Sequence, residues 1–391
     1  MIYRNFQDKK LSLLGFGTMR LPLIDGVIDQ EQVEKMTDYA IEHGVNYFDT
    51  AYPYHNGLSE VSIGKALKKY PRKSFYLATK YPGHQIASTY DPKAIFEEQL
   101  TKCGVDYFDF YLLHNVCENC IDVYKDEKWG IVDYFIEQKK LGKIKHLGFS
   151  SHGKPALLKD FLDTYGKDME FCQIQLNYLD WTLQNAKEKV ELLNSYNIPI
   201  WVMEPVRGGK LANLNEADTT KLKAMRPDES IPAWCFRFLQ GVKGVTMVLS
   251  GMSNFEQMVD NVKTFEGEKP LSEEETKALF EIAEGLKNAV PCTACRYCTD
   301  GCPMGLDIPM LISVYNDIKF APTTINAMII ESLPEDKRPS ACVACGACTH
   351  ACPQGLNIPE IMKDFVSELE KIPSWAAICK EREEAAKRNK K

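Results

Sequence analysis

The sequence lacks any long uninterrupted hydrophobic run. No stretch approaches the roughly 18 apolar residues that suggest a membrane-spanning helix, and the segment from Met1 to Lys10 contains no apolar signal-like core. We therefore expect a chain that is neither secreted nor membrane-spanning. A cytoplasmic location without a membrane partner is the corresponding prediction.

The chain also lacks a surplus of positive charge. Its 47 Lys and Arg residues are outnumbered by 54 Asp and Glu residues, which leaves a net charge of −7. Nucleic-acid backbones are bound mainly by clustered Lys and Arg, and no broad basic surface is implied here. The lysines of residues 387–391 follow two glutamates and are better explained as a solvated helix tail. We expect no nucleic-acid partner.

What the chain contains is a regular alternation of short apolar runs and helical patterns. Its 391 residues are too many for one ordinary core and predict two domains. Eight runs are candidate strands: Leu13–Phe16, Tyr47–Thr50, Phe75–Thr79, Phe108–Leu113, Ile144–Phe149, Phe171–Leu176, Ile200–Met203 and Thr246–Leu249. Helical patterns follow them, for example at Glu31–His43, Glu60–Lys69, Lys93–Cys103, Tyr124–Leu141, Ala186–Tyr196 and Asn254–Phe265.

Eight strands that each lead into a helix predict an α/β fold of the (β/α)8 TIM-barrel type. A doubly wound sheet is the competing arrangement. The first strand, however, is not followed by the Gly-x-Gly-x-x-Gly turn that would favour such a sheet. We predict that the barrel spans residues 1–285.

Cysteine is frequent, with 14 residues, and in a large chain without a secretion signal metal ligation explains it better than disulfides. Eight cysteines form two copies of the run Cys-x-x-Cys-x-x-Cys-x-x-x-Cys-Pro. This spacing is typical of proteins with two [4Fe–4S] clusters, in which the fourth cysteine ligates the other cluster. One predicted set is Cys292, Cys295, Cys298 and Cys352, and the other is Cys302, Cys342, Cys345 and Cys348.

Structural zinc is the main alternative for these runs, but it usually requires two ligand pairs separated by a longer loop. Helical patterns lie between the copies at Pro309–Lys319 and Thr323–Leu333. This part of the chain resembles the helical ferredoxin domains attached to many oxidoreductases of anaerobes. We predict a small, mostly α-helical ferredoxin-like domain over residues 286–372, a boundary within Pro270–Asn288, and a tail over 373–391. Oxygen-sensitive clusters suggest an anaerobe.

Polar side chains stand at the ends of three successive predicted strands. Asp49 ends the second strand and precedes Tyr54, Lys80 ends the third, and His114 ends the fourth. Catalytic groups of (β/α)8 barrels lie at these C-terminal strand ends. Lys80, held by Asp49, would help Tyr54 to donate a proton, and His114 would orient a carbonyl group. The set predicts reduction of a carbonyl, with a nicotinamide as hydride carrier.

The barrel resembles the aldo-keto reductase family over roughly residues 10–265. The matching segments are Gly15-Phe16-Gly17-Thr18-Met19, Phe48-Asp49-Thr50-Ala51 with Tyr54, Gly57-Leu58-Ser59-Glu60, Ala78-Thr79-Lys80 and Leu112-Leu113-His114. The resemblance implies an enzyme that reduces a small carbonyl compound or oxidises an alcohol with NADP or NAD. It implies that the catalytic residues are Asp49, Tyr54, Lys80 and His114.

The resemblance also implies a dinucleotide site. The carboxamide of the nicotinamide would be held by Ser150, Ser151 and Gln173. Met203 lies where the family usually stacks an aromatic ring on the nicotinamide. The last strand leads into a loop and helix start that would bind phosphate. The residues implied there are Ser250, Gly251, Met252, Ser253, Asn254, Gln257 and Asn261.

One departure concerns the 2′-phosphate of NADP. Members that prefer NADPH tend to place a Lys or Arg in the stretch corresponding to Gly251–Gln257, and this chain has none there. Arg207 or Lys210, in the preceding loop, would have to substitute. The choice between NADP and NAD stays open, with a slight preference for NADP from the family.

Two further cysteines, Cys117 and Cys120, follow His114 closely. They are either reduced thiols in a loop or a metal or redox pair near the substrate. A metal site would need further ligands, for which Cys379, His55 and His152 are candidates.

Two functions compete at this point. The first is a nicotinamide-dependent oxidoreductase that carries ferredoxin-type clusters. The second is an iron–sulfur electron-transfer protein in which the barrel is a docking module or holds a flavin. A nicotinamide transfers two electrons as a hydride whereas each cluster transfers one, so a flavin or a redox partner protein would be needed to couple them. The complete set of four polar residues favours the first function.

Overall fold

The computed structural model describes residues 1–374 apart from residues 86, 88, 119, 287–289 and 321–323. Contacts divide the chain into two compact units, of which the first spans Met1–Glu284 and the second begins at Gly285. The predicted tail, residues 373–391, lies outside the described residues except for its first two positions. Asn288, at the end of the predicted boundary segment, also lies outside them.

The first unit is a closed barrel of eight parallel strands, so the predicted TIM-barrel fold is confirmed. Consecutive strands pair with each other, and the last pairs with the first through Val248 and Leu14. Numbered along the chain, the strands are β1 (Leu14–Gly17), β2 (Tyr47–Asp49), β3 (Tyr76–Tyr81), β4 (Phe108–Leu113), β5 (Ile144–Ser151), β6 (Cys172–Gln175), β7 (Ile200–Met203) and β8 (Val245–Ser250).

Helices alternate with these strands. Several begin at a side chain that accepts a hydrogen bond from the first turn, as Asp29 does from Gln32 N and Ser230 from Ala233 N. The helices are Gln30–Glu42, Leu58–Leu67, Pro92–Cys103, Ile121–Lys125, Ile131–Lys140, Pro155–Tyr165, Asp180–Leu183, Ala186–Ser195, Glu216–Met225, Ile231–Gln240, Phe255–Thr264 and Glu273–Leu286.

The prediction of one helix over Tyr124–Leu141 is wrong. The chain forms two helices there, Ile121–Lys125 and Ile131–Lys140. Gly130 separates them because its φ of +56° is left-handed, a conformation that interrupts a right-handed helix.

An antiparallel hairpin that the sequence did not reveal precedes the barrel. Its strands are Tyr3–Phe6 and Lys9–Ser12. The ring of Phe6 lies 5.1 Å from that of Trp201 and 5.5 Å from that of Phe110, and all three residues belong to one buried cluster. The hairpin thereby adds an aromatic side chain to the packed barrel interior. A second hairpin, Leu23–Ile24 with Val27–Ile28, lies in the loop after β1.

The second unit is helical in its described part, as predicted. Its helices are Ile308–Phe320, Thr324–Glu331, Ala347–Ala351 and Ile358–Glu370. The two Gly-Leu-x-Ile-Pro segments contribute equivalent residues to one core: Leu306, Ile308, Leu356 and Ile358. Among the residues described, no helix is both long and apolar enough to cross a membrane.

Candidate active site and iron-sulfur sites

A chain of hydroxyl groups fixes the end of β2. Thr18 Oγ1 donates to Asp49 O at 2.9 Å, and Ser59 Oγ donates to Thr18 Oγ1 at 2.7 Å. Thr50 Oγ1 lies 3.0 Å from the same Ser59 hydroxyl. Three of the five segments that carried the family resemblance therefore meet around one backbone position, which holds the Asp49 side chain in place.

Lys80 and Asp49 form a buried ion pair at the ends of β3 and β2. Lys80 Nζ lies 2.5 Å from Asp49 Oδ1 and also donates to Thr50 O at 2.7 Å. Burial raises the pKa of Asp49 and lowers that of Lys80, while the opposite charge of each partner works against these shifts. The pair is thus held by mutual attraction in a site that by itself disfavours either charge.

Tyr54 covers this pair. Lys80 Nζ lies 5.0 Å from the centroid of the Tyr54 ring, and that ring meets the His114 ring edge-on at 5.8 Å. Tyr54 and His114 are both largely buried. The structure therefore brings together all four side chains that the sequence singled out: Asp49, Tyr54, Lys80 and His114.

Three histidines gather at this end of the barrel. The rings of His84 and His114 are 4.4 Å apart. Burial, reinforced by His84, Lys80 and His152, lowers the pKa of His114 well below its usual range. Burial also lowers the pKa of His84 to about 4 and that of His152 to about 3. All three imidazoles are therefore neutral near pH 7, so His114 has one ring N–H to donate.

A buried polar network supports β3 below Lys80. Glu60 accepts hydrogen bonds from Thr79 Oγ1 at 2.6 Å and from Gln99 Nε2 at 2.7 Å. Gln99 Nε2 also lies 3.0 Å from Lys80 O, and Gln99 Oε1 accepts from Tyr111 OH at 2.6 Å. The network fixes the backbone that carries the lysine.

The residues expected to hold a nicotinamide carboxamide lie on neighbouring strands β5 and β6. Ser150 Oγ accepts from Asn115 N at 2.8 Å, and Ser151 Oγ donates to Val116 O at 2.7 Å. Gln173 Oε1 is buried and has no hydrogen-bond partner within the described chain. A buried amide oxygen without a partner fits a ligand that donates an N–H.

Arg207, after β7, is completely enclosed. Its Nε lies 3.0 Å from both carboxylate oxygens of Asp180, and the side chains of both residues have no exposed surface. Nη1 and Nη2 of Arg207 are buried without a hydrogen-bond partner in the part of the chain described. Two guanidinium nitrogens without hydrogen-bond partners could donate hydrogen bonds to an anionic group of a ligand. Met203, four residues earlier, is partly exposed.

The loop after β8 is organised by its own side chains. Asn254 Oδ1 accepts from Gln257 N at 2.9 Å and Gln257 Oε1 accepts from Ser253 N at 2.8 Å, which together cap the helix Phe255–Thr264. Asn261 Nδ2 donates to Ser250 Oγ at 2.9 Å. Met252 in this loop is buried.

Arg20 is a cation near this loop that the sequence did not suggest. A Cβ atom at Gly251 would lie 3.3 Å from Arg20 Cβ, so the two residues are neighbours. The Arg20 guanidinium lies 3.5 Å from Glu204 Oε1. Burial raises the pKa of Glu204, whereas Arg20 opposes that rise. Lys210 lies in the same loop as Arg207 and is partly exposed.

The eight cysteines of the two runs line two separate cavities. One is lined by Cys292, Cys295 and Cys298 together with Cys352. The other is lined by Cys342, Cys345 and Cys348 together with Cys302. Each cavity therefore draws three sulfurs from one run and the fourth from the other run, which is the grouping that the spacing suggested.

The two cysteine runs have left-handed residues at equivalent positions. Ala294 and Ala344 occupy equivalent positions with φ of +53° and +54°, and Gly305 and Gly355 with +58° and +63°. Left-handed residues in these loops bend the chain sharply. The bends bring three thiols of one run to a common cavity.

No set of three His, Cys, Asp or Glu side chains among the described residues is arranged to hold a single metal ion. The suggested metal site at Cys117 and Cys120 would draw on His55, His152 and Cys379. His55 instead accepts a hydrogen bond from Leu21 N at 3.1 Å. Cys379 lies outside the described residues.

Three groups near these strand ends were missed in the sequence: Arg20, His84 and Asp180. Each follows a barrel strand by no more than five residues. Their position after a strand was the available signal, because loops after the strands form the functional face of such barrels. Their partners, which lie far away along the chain, were not predictable.

Comparison with known proteins agrees with this geometry. A family profile described as the aldo/keto reductase family matches residues 13–284, and a profile for a 4Fe-4S dicluster domain matches residues 291–356. The first match covers more than half of the chain. The protein belongs to the aldo/keto reductase family and is an oxidoreductase of that family with a 4Fe–4S dicluster domain.

Individual relatives are similar over the barrel. An uncharacterized oxidoreductase, YqkF of Bacillus subtilis, is 28% identical over 70% of this chain and 92% of its own. An NADH-specific methylglyoxal reductase of Escherichia coli is 24% identical over 72% of this chain and 97% of its own. The aldo-keto reductase AKR11C1 of Bacillus halodurans, in its holo form, has a TM-score of 0.59 and 27% identity, covering 72% and 96% of the two chains.

Proposed function

We propose that the barrel reduces the carbonyl group of a small molecule, or oxidises the corresponding alcohol, with NADP or NAD. One observation carries the proposal: a buried Lys80–Asp49 pair, the Tyr54 ring and a neutral His114 stand together at adjacent strand ends. A bound nicotinamide would supply or accept the hydride.

Each side chain then has a distinct task. Tyr54 donates a proton to the carbonyl oxygen, where negative charge develops during reduction. Lys80, 5.0 Å from the ring, stabilises the phenolate that remains, and Asp49 keeps the ammonium in position. The ring N–H of neutral His114 orients the carbonyl oxygen, since an imidazole that stays uncharged competes less with Tyr54 as proton donor.

The buried polar atoms without partners support a dinucleotide ligand. Gln173 Oε1 would accept from a carboxamide N–H, beside the hydroxyl groups of Ser150 and Ser151. Arg207 Nη1 and Nη2 would pair with phosphate oxygens. The loop after β8, with Ser250, Gly251, Met252, Ser253, Asn254, Gln257 and Asn261, would form the rest of the site.

We further propose that the second unit binds two [4Fe–4S] clusters, each held by the four cysteines that line one cavity. The clusters exchange electrons with a redox partner protein. The competing function is electron transfer alone, with the barrel as a docking module or a flavin carrier. The grouping of four side chains suited to carbonyl reduction favours an active barrel.

The deciding experiment measures hydride transfer. Protein purified without oxygen is given each reduced dinucleotide, labelled with deuterium at its reactive position, and a panel of small aldehydes and ketones. The panel includes methylglyoxal because one relative is a methylglyoxal reductase. We expect deuterium in the product alcohol. Protein that binds a dinucleotide but transfers no label across a broad panel would contradict carbonyl reduction.

A further inference from the structure

The loop after β4 contains two cysteines that the proposed reaction does not use. Cys117 Sγ and Cys120 Sγ lie 3.5 Å apart, which is about 1.5 Å longer than a disulfide bond. The backbone explains the short distance, because Cys117 O accepts hydrogen bonds from Cys120 N at 3.1 Å and Ile121 N at 2.9 Å. A modest movement of either side chain would bring the sulfurs to bonding distance.

The two thiols have different surroundings. Cys120 is 3% exposed and its thiol donates to Asn115 O at 2.9 Å. The hydrogen bond with Cys117, together with burial, raises the pKa of the Cys120 thiol. Cys117 is only partly buried, so a dissolved molecule reaches its sulfur first. The pair thus has an outer thiol that can attack and an inner thiol held beside it.

We propose that Cys117 and Cys120 form a thiol–disulfide exchange site for low-molecular-weight disulfides. The Cys117 thiolate attacks one sulfur of a disulfide RSSR, a Cys117–SR bond forms, and RS⁻ leaves and takes up the proton that Cys117 lost. Cys120 then attacks the Cys117 sulfur, the Cys117–Cys120 bond forms, and the second RS⁻ takes the Cys120 proton. The dithiol loses two electrons and RSSR becomes two RSH.

The other barrel thiols do not compete for the reagent. Cys103, Cys172 and Cys235 are each at most 3% exposed. Burial raises the pKa of all three thiols, which slows their attack on a dissolved disulfide. Cys120 is buried as well, but the sulfur that it attacks is already held 3.5 Å away. They provide internal controls within the same molecule.

Oxidation of the two cysteines should disturb the hydrogen bonds that hold Ser150 and Ser151 of β5. Its effect on ligand binding rests on the proposed binding of a nicotinamide at these two serines. A disulfide removes the Cys120 donor from Asn115, whose own N–H donates to Ser150 Oγ. The next residue, Val116, accepts from Ser151 Oγ. We expect dinucleotide affinity to fall about two- to tenfold, the factor that one lost neutral hydrogen bond corresponds to.

The test uses the full chain with its clusters, incubated anaerobically with increasing ratios of oxidised to reduced glutathione and then alkylated. Trypsin and a glutamate-specific protease cut after Lys102, Glu118 and Lys125, so Cys117 and Cys120 fall on different peptides. Because Cys103 shares a peptide with Cys117, the joined peptides are fragmented to locate the linked sulfurs. We expect the disulfide to join Cys117 to Cys120 while the cluster absorbance is unchanged. Reduced glutathione should separate them again.

Variants identify the sulfur that reacts first. Cys120→Ser should retain glutathione on Cys117, whereas Cys117→Ser should carry neither a link nor glutathione on Cys120. Cys103→Ala, a matched control with an intact pair, should form the link as the wild type does. A wild type that stays unlinked at every ratio, or that joins Cys120 to Cys103, would overturn the exchange site.

Binding measurements separate this inference from the proposed function. A fully linked protein with unchanged dinucleotide affinity would overturn the coupling to Ser150. Reduced wild type that binds neither NADPH nor NADH would instead overturn the proposed dinucleotide site, whatever the state of the thiols.

Discussion

Lys80 Nζ lies 2.5 Å from Asp49 Oδ1 in a pair whose side chains are 0% and 4% exposed. Removing one partner of a buried pair leaves an uncompensated charge and typically costs about 3–5 kcal/mol, whereas replacing both with apolar residues is often tolerated. Loss of either partner alone should therefore destabilise the barrel, in addition to its effect on the proposed proton transfer.

The stability contribution is tested with one single and one double substitution. Asp49→Leu should lower the free energy of unfolding by about 3 kcal/mol or more, and adding Lys80→Met should recover most of that loss. Both variants should be inactive. Urea unfolding followed by tryptophan fluorescence measures the difference. A double variant no more stable than the single one would show that the charge is compensated elsewhere.

Tyr54→Phe should nearly abolish carbonyl reduction and leave dinucleotide binding largely intact, because the phenol donates the proton but does not hold the cofactor. Tyr52→Phe is the matched control, since the Tyr52 hydroxyl donates to exposed Glu98. Turnover and equilibrium binding are measured on both variants. Unchanged turnover in Tyr54→Phe would mean that another group is the acid.

The protein should discriminate less than about tenfold between NADPH and NADH. A cation paired with the 2′-phosphate typically contributes about 1.5–3 kcal/mol, which is roughly tenfold or more in affinity. No cation lies between Ser250 and Gln257, and Arg207 is tied to Asp180. We expect Arg207→Ala to weaken both dinucleotides equally, through a phosphate that they share.

The measurement is equilibrium binding of both dinucleotides at two salt concentrations. Arg20→Ala is the comparison, because Arg20 lies against Gly251. Any modest NADPH preference should disappear in that variant. A preference above about a hundredfold that survives both substitutions would place the 2′-phosphate site elsewhere.

Anaerobically purified protein should contain roughly eight iron and eight sulfide ions. If each cluster is held by three cysteines of one run and the fourth cysteine of the other, Cys302→Ala and Cys345→Ala damage the same cluster. Combining these two substitutions should then lose little more iron than either one alone. Cys302→Ala with Cys295→Ala should damage both clusters. Iron, sulfide and electron paramagnetic resonance analyses distinguish these cases. The reverse pattern of losses would assign all four cysteines of a run to one cluster.

The barrel should lose stability as the pH falls from about 6.5 towards about 4. The folded pKa of His84 is about 4, below the value of about 6.5 for an unfolded histidine, so protons bind preferentially to the unfolded chain. The contribution of His84 is therefore present above about pH 6.5 and is lost as the pH approaches its folded pKa. His84→Gln should reduce this pH dependence, measured as urea midpoints.

The sequence by itself determined the two-domain architecture, the barrel and the cysteine sets. A barrel strand is a short apolar run with a helix after it, and the order of strands in a (β/α)8 barrel follows the order in the chain. The ends of successive strands are therefore neighbours, so Asp49, Lys80 and His114 were predictable as one group. The cysteine runs were readable because their spacing is local.

Only the tertiary structure decided which distant side chains meet. The pairing of Arg207 with Asp180, the approach of Arg20 to Gly251 and the network around Glu60 join residues from separate loops and helices. Such contacts depend on side-chain direction and on desolvation, which leave no periodic signal in the sequence. The N-terminal hairpin was missed for a related reason. Phe6 becomes a core residue only because its ring packs against Trp201 and Phe110, which lie on strands of the barrel.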